Sequence, residues 1–387
     1  MRTRYAIAMA LLVTTALVGG VAGPAAGAQP TIESPTDGPT AEGAAAGPGV
    51  HQTDDACEFP LEITDATGTT ITLEEPPERI TTVNPSAAQT LWELGEQDRV
   101  VGVTQFAGYL EGADERENVS AEGLGVDVER VVATEPDLVL APNASAGQVD
   151  DLREQGLTVY HFAEATSIED IAEKTETTGR LVGNCEAAAE TNAEMNEAVA
   201  DAENRTADLD RPNALYPLGD GYVAANNTFI NSIMEVGGVN NVAAAEGDGY
   251  PQLSNEVILQ TDPELVLVTD PEASILEEEP YASTTAGQEG NYVVMNVNYL
   301  NQPAPRSVIE STDTLATAVE ELQTESDGAT DDENGTDDGG TDGSDGSTDD
   351  GANETDDGGA TGDEAPGFGV VAALIAAIAA ALIARRP

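Results

Sequence analysis

Two carboxylates stand apart from the other acids of this chain by what surrounds them. The segment Glu-Arg-Val-Val-Ala-Thr-Glu-Pro-Asp-Leu-Val-Leu, from Glu129 to Leu140, returns as Glu-Val-Ile-Leu-Gln-Thr-Asp-Pro-Glu-Leu-Val-Leu from Glu256 to Leu267, at a constant offset of 127. Each copy is expected to form a short helix, a proline-marked turn and a buried strand. A carboxylate exposed at each helix start makes a bivalent, geometrically specific dock for two arginine-bearing sites. Solenoid repeats run to roughly 50 residues at most, so this much longer period predicts two similar α/β lobes instead.

A second group could hold a ligand. Asn84 and Ser86 follow the expected strand Arg79–Val83, and Tyr109 follows the expected strand Val100–Thr104. Asp220 and Tyr222 belong to the turn Gly219-Asp220-Gly221-Tyr222, and Tyr250 to Gly249-Tyr250-Pro251. Loops at strand C-termini line clefts in α/β proteins. A tyrosine suits a large, flat, amphipathic ligand, because its ring stacks while its hydroxyl stays wet. Trp92, within Leu91-Trp92-Glu93-Leu94, reads as core.

Enzyme chemistry finds no footing. The chain carries no glycine-rich phosphate loop with a lysine, no Gly-x-Ser-x-Gly elbow and no His-Glu-x-x-His. Its two histidines, His51 in an N-terminal linker and His161 at a strand end, are too few for a zinc or manganese site, and no metal centre is expected. Nucleic acid is excluded as well, because 14 Lys and Arg against 72 Asp and Glu could not neutralise a run of phosphates.

The elements that must position these residues are legible in outline. Glu58 to Leu73 alternates as a hairpin around Asp65-Ala66-Thr67-Gly68. A strand at 79–83, a helix from Ala87 to Leu94 and a strand at 100–104 follow, and this alternation predicts a parallel sheet. An Ala- and Glu-rich helical stretch from about Ile168 to Glu203 joins the two copies of the repeat.

The termini point outside the cell. Arg2 and Arg4, an apolar run to about Val21 and Ala26-Gly27-Ala28 compose a secretory signal over residues 1–28. Thr324 to Glu364 holds 16 acids and no Lys or Arg, and is expected to be an extended tether. Pro366-Gly367-Phe368, an apolar run to Ala384 and Arg385-Arg386 follow. In an oxidising compartment Cys57 and Cys185 are expected to pair as a disulfide, with two buried free thiols as the alternative. The sequons at Asn118, Asn143, Asn204, Asn226, Asn334 and Asn353 are compatible with glycosylation. The formal charge of −58 is not a tail effect: with the tether set aside, residues 29–323 still hold 56 acids against 10 bases. Such a surface suits concentrated salt, where self-repulsion is screened.

Several pieces in order carry a family resemblance. They are Pro76-Pro77-Glu78-Arg79-Ile80, Asn84-Pro85-Ser86-Ala87, and Leu94 through Val103. Pro136-Asp137-Leu138, Gly179 to Gly183, Glu235 to Asn240, and Pro303-Ala304-Pro305-Arg306 complete them. Over about residues 58–323 the chain resembles the class III substrate-binding proteins of ABC importers for cobalamin and ferric siderophores. The resemblance implies two Rossmann-like α/β lobes joined by a single long helix, a ligand cleft between them and only modest closure. It also implies that Glu129 and Glu256 meet arginines of a membrane permease, which works with an ATPase. The C-terminal segment resembles the PGF-CTERM sorting signal of archaeal surface proteins, which implies anchoring on the outer face of the membrane, a plain transmembrane anchor being the alternative.

The expected organisation is therefore a signal peptide (1–28), a linker (29–57) and an N-terminal lobe (58–165), then a connecting helix (166–210) and a C-terminal lobe (211–323). An acidic tether (324–364) and the sorting or transmembrane segment (365–387) close the chain. The chain is read as a monomer without cofactor, its cargo a corrinoid such as cobalamin. An anionic ferric siderophore would call for cleft cations, of which Arg306 is the obvious one; a siderophore, haem or a non-transport receptor role is the alternative.

Overall fold

The computed structural model describes residues 57–123, 125–270 and 274–332. The expected signal peptide, all of the expected linker but Cys57, the chain beyond residue 332 and with it the expected sorting segment lie outside the described residues.

The amino-terminal lobe opens with the antiparallel hairpin of β1 (Leu61–Thr64) and β2 (Thr70–Leu73). Asp65 fixes its turn by accepting from the backbone N–H of Thr67 at 2.9 Å and of Thr69 at 3.1 Å. There follow β3 (Ile80–Thr82), α1 (Pro85–Glu93), β4 (Val100–Val103), β5 (Glu117–Asn118), α2 (Val128–Ala133), β6 (Leu138–Ala141), α3 (Val149–Glu154) and β7 (Val159–His161). Strands β3 to β7 make one parallel sheet in the order β5-β4-β3-β6-β7. Helix α1 begins at Pro85 rather than at Ala87. Proline needs no N–H partner in the first turn, and Asn84 caps it, so Asn-Pro-Ser starts the helix instead of separating it from the strand.

The carboxy-terminal lobe contains β8 (Asn213–Leu215), the hairpin β9 (Pro217–Gly219) and β10 (Tyr222–Val223), and β11 (Asn240–Asn241), β12 (Leu265–Val268) and β13 (Tyr292–Val294). Its parallel sheet has the order β11-β8-β12-β13. Between the two lobes run α4 (Ile168–Val182) and α5 (Cys185–Thr206). The helices of the second lobe are α6 (Phe229–Val236), α7 (Asn255–Thr261), α8 (Thr285–Glu289), α9 (Val297–Leu300) and α10 (Pro305–Asp332).

The repeat is structural. Helix α2 leads to β6 as α7 leads to β12, and the two strands begin and end at equivalent positions. The turns match down to backbone conformation: Glu135 and Asp262, at the same repeat position before the proline, both take positive φ, 47° and 42°. Both strands are buried throughout, as central parallel strands should be. Leu138 and Leu140 pack on one face of their sheet with Ile80 and Leu91, and Val139 packs on the other with Val131 and Leu152.

One long helix, α5, carries the chain from lobe to lobe, but the stretch 166–210 holds two helices where one was expected. Gly183 ends α4 in a left-handed conformation, φ 75°, and Asn184 caps α5. Ile168 and Ile171 of α4 belong to the core of the second lobe, whereas Leu181 and Val182 belong to the first; Ala188 and Met195 of α5 reverse that order. The two helices therefore run antiparallel across the junction and stiffen it. The tether boundary also moves, since α10 continues past residue 323 to Asp332.

Candidate functional site

In each lobe the first parallel strand is where the strand order turns back, and its carboxyl end is where α/β folds place ligands. Beyond β3, Asn84 Oδ1 accepts from the backbone N–H of Ser86 at 2.9 Å and serves as the helix cap. Ser86 is fully buried, and its Oγ accepts from Lys174 Nζ at 2.9 Å. Beyond β4, Tyr109 donates its hydroxyl to Gln89 Oε1 at 2.7 Å, and Gln89 donates in turn to Ser307 Oγ on α10 at 3.1 Å. The Tyr109 ring stands edge-on to Tyr299 of α9, with centroids 6.0 Å apart. Tyrosines of opposite lobes thus meet across the junction. Burial, then the neighbouring Tyr299 and Glu93, push the Tyr109 phenol well above its ordinary value.

The second lobe gathers three candidates in one corner. Asp220 is exposed and takes a left-handed conformation, φ 50°, in the tight turn of the β9–β10 hairpin. Tyr222 pairs with Gln252, whose side-chain amide donates to the Asp220 carbonyl at 2.6 Å. Tyr250, two residues before Gln252, packs with Tyr222 against the core. Burial raises the Tyr250 phenol, with Glu164 and Tyr216 adding to it. Tyr216 itself is buried and donates to Asn301 Oδ1 at 3.0 Å. Asp220, Tyr222 and Tyr250 are therefore brought together, Tyr109 faces the opposite lobe, and Asn84 and Ser86 are held as cap and lysine acceptor.

Sequence reading missed Tyr299, Gln89 and Lys174. Tyr299 follows the carboxyl end of β13, so the strand-end rule that selected Tyr109 would have found it. Lys174, the single lysine of the chain, bridges the lobes: its ammonium donates to Ser86 Oγ and to the Pro303 carbonyl, each at 2.9 Å, and lies 5.8 Å from the Phe162 ring centre. Burial lowers it to about 7. Arg306, the expected cleft cation, is paired with Glu93 across the lobes, Nη2 to Oε2 at 2.8 Å. A separate hollow between α4, α5 and α6 is lined by Glu169, Glu173, Glu176, Glu203 and Glu235, away from the strand ends, and is not the candidate cleft.

Glu129 and Glu256 occupy the same place on their helices. Asp127 caps α2 and Ser254 caps α7, and each glutamate is the second helical residue and exposed. The adjacent Arg130 turns to Asp127, at 3.7 Å, and to the Ser120 carbonyl. Cys57 and Cys185 form a disulfide, Cα atoms 6.1 Å apart, tying the start of the first lobe to the start of α5. His161 is buried at the end of β7, its Nδ1 2.9 Å from the Ala141 carbonyl. Trp92 packs on the core and donates to the Glu111 carbonyl. Among the described residues no cluster of side chains could hold a metal ion, and no helix is long and apolar enough to cross a membrane.

The model of the periplasmic binding protein family matches residues 80–299, which span both sheets and the connector between them. The chain belongs to that family. It is a solute-binding protein rather than an enzyme. It is 48% identical over 347 residues to the cobalamin-binding protein of Halobacterium salinarum, covering 86% of this chain and 90% of that one. Among solved structures, the periplasmic vitamin B12-binding protein of Vibrio cholerae aligns with a TM-score of 0.55 and 23% identity, over 64% of this chain and 98% of that one. The apo periplasmic heme-binding protein of Roseiflexus sp. RS-1 aligns with a TM-score of 0.57 and 23% identity, over 62% and 99%. These two likenesses establish the fold, and the fold serves different ligands.

Proposed function

We propose that this chain is the extracellular receptor of an ABC importer, capturing a corrinoid, cobalamin, between its lobes and delivering it to the permease. The similarity to the Halobacterium salinarum protein, running nearly the length of both chains, carries this reading. The charge of the junction supports it. Lys174 is buried and donates to Ser86 Oγ and the Pro303 carbonyl, and Arg306 is committed to Glu93, so neither lies open to an anionic siderophore. Tyr109, Tyr222 and Tyr250 bring aromatic rings to the ends of the strands, a chemistry that suits a corrinoid's broad apolar surface. Cobalamin is cargo here and not a cofactor.

Glu129 and Glu256, one per lobe and presented alike, are the permease-docking residues in this reading. The stiff connector limits closure, so delivery depends on docking rather than on a wide hinge motion. The signal peptide and the C-terminal segment would hold a monomer at the outer face of the membrane. Cells lacking this chain should regain corrinoid uptake with the wild-type protein and not with E129A/E256A, while the variant retains the corrinoid. Uptake restored fully by the variant would overturn the docking assignment.

A further inference from the structure

Four large apolar side chains are exposed among the described residues: Val132 at 38%, Leu259 at 43%, Tyr292 at 41% and Val294 at 40%. Tyr292 and Val294 stand on the edge strand β13, whereas the edge strand β7 of the other lobe is buried throughout. They have no counterpart there. Val132 and Leu259 differ, because they are equivalent positions of the repeat. Each follows its glutamate by three residues, which puts it one turn further along the same helix face.

Core packing does not call for these two residues. Their neighbours Val131 and Ile258 fill the interior, at 0% and 1% exposure. A single exposed aliphatic residue on a surface is ordinary. Two of them at matched positions, each beside a matched exposed carboxylate and one in each lobe, are a pattern. We infer that Val132 and Leu259 are the apolar halves of the two docking pads, so that each lobe presents a glutamate–aliphatic pair to a socket of the permease made of an arginine beside an apolar pocket. The inference rests on the reading of Glu129 and Glu256 as docking residues.

Salt gives the two halves different work. At 1 M salt the Debye length is roughly 3 Å, so an exposed Glu–Arg contact is strongly screened. An apolar contact is not screened. For a chain of formal charge −58, a surface suited to concentrated salt, the aliphatic residues then hold affinity while the glutamates set register and exclude acidic surfaces.

The test measures association of the full chain with its permease–ATPase complex in lipid nanodiscs, in dilute and in molar salt, together with cyanocobalamin affinity. V132S/L259S should weaken docking on the order of tenfold or more at both salt levels, with cyanocobalamin affinity unchanged. The conservative V132L/L259I should dock as the wild type does. E129A/E256A should weaken docking most in dilute salt and, with the register lost, still weaken productive docking in molar salt. If V132S/L259S docks normally while E129A/E256A does not, the inference fails and the glutamate reading stands. If neither pair matters, the docking reading itself falls. If V132S/L259S alters only self-association of the free chain, the patches serve contacts between copies, and the inference is overturned.

Discussion

Replacing Lys174 by methionine should change the way stability responds to pH. Lys174 is 7% exposed at the lobe junction, and the hydrogen bonds of its ammonium go to two neutral oxygens, Ser86 Oγ and the Pro303 carbonyl. Burial lowers it from 10.5 to about 7. That difference corresponds to a penalty of about 5 kcal/mol on the charged form. Below about pH 7 the folded and unfolded chains both carry the proton, and the penalty is complete. Between about 7 and 10.5 the folded protein is neutral here while the unfolded chain still holds the proton, so stability rises by about 1.4 kcal/mol per pH unit. K174M removes this slope, and it leaves both oxygens without a donor at about 1–3 kcal/mol each. Relative to the wild type, the variant should therefore lose about 4 kcal/mol of stability between about pH 6 and pH 10. Urea unfolding followed through the single tryptophan, Trp92, in molar salt would read both curves, and the other titrating groups cancel in their difference. A gap between the chains that stays constant from about pH 6 to pH 10 would refute the assignment of Lys174 as a buried, uncompensated cation.

Other outcomes follow from the same contacts. Cys57 and Cys185 close a loop over a separation of 128, so C57A/C185A should lower the unfolding free energy by about 2–5 kcal/mol in denaturant titration without abolishing ligand binding. Tyr109→Ala should weaken cyanocobalamin binding on the order of tenfold or more by calorimetry, whereas Tyr109→Phe, which loses only the bond to Gln89, should cost far less. Equal losses for the two would show that the hydroxyl, not the ring, matters.

What the sequence revealed followed from local chemistry. Glu, Pro and Leu-Val-Leu at a fixed offset specify helix, turn and buried strand twice; a strand end singled out Tyr109 as a candidate, and glycine-marked turns singled out Tyr222 and Tyr250. The break between α4 and α5 was also written locally, in the adjacent Gly183 and Asn184, a glycine that ends a helix and an asparagine that begins one. It was hidden by the helix-favouring Ala and Glu on either side. The end of α10 was misplaced for the opposite reason, because Thr324 and the Ser, Asp and Gly after it have the composition of a tether. Tyr299 beside Tyr109 and Gln89 beside Ser307 are contacts between lobes, and Lys174 beneath Ser86 joins the connector to the first lobe. They join residues about 90 to 220 apart in the chain, a separation that no local propensity encodes. The left-handed backbone at Glu135 and Asp262 was likewise invisible, since neither residue is the glycine that normally marks it.

The central claim is that the cleft takes a corrinoid. Calorimetric titration of the protein in molar salt with cyanocobalamin, and separately with haem and a panel of ferric siderophores, tests it most directly. The account predicts saturable one-to-one binding of cyanocobalamin, tighter than that of any iron-bearing ligand. Tight binding of haem or a siderophore with no response to cyanocobalamin would contradict it.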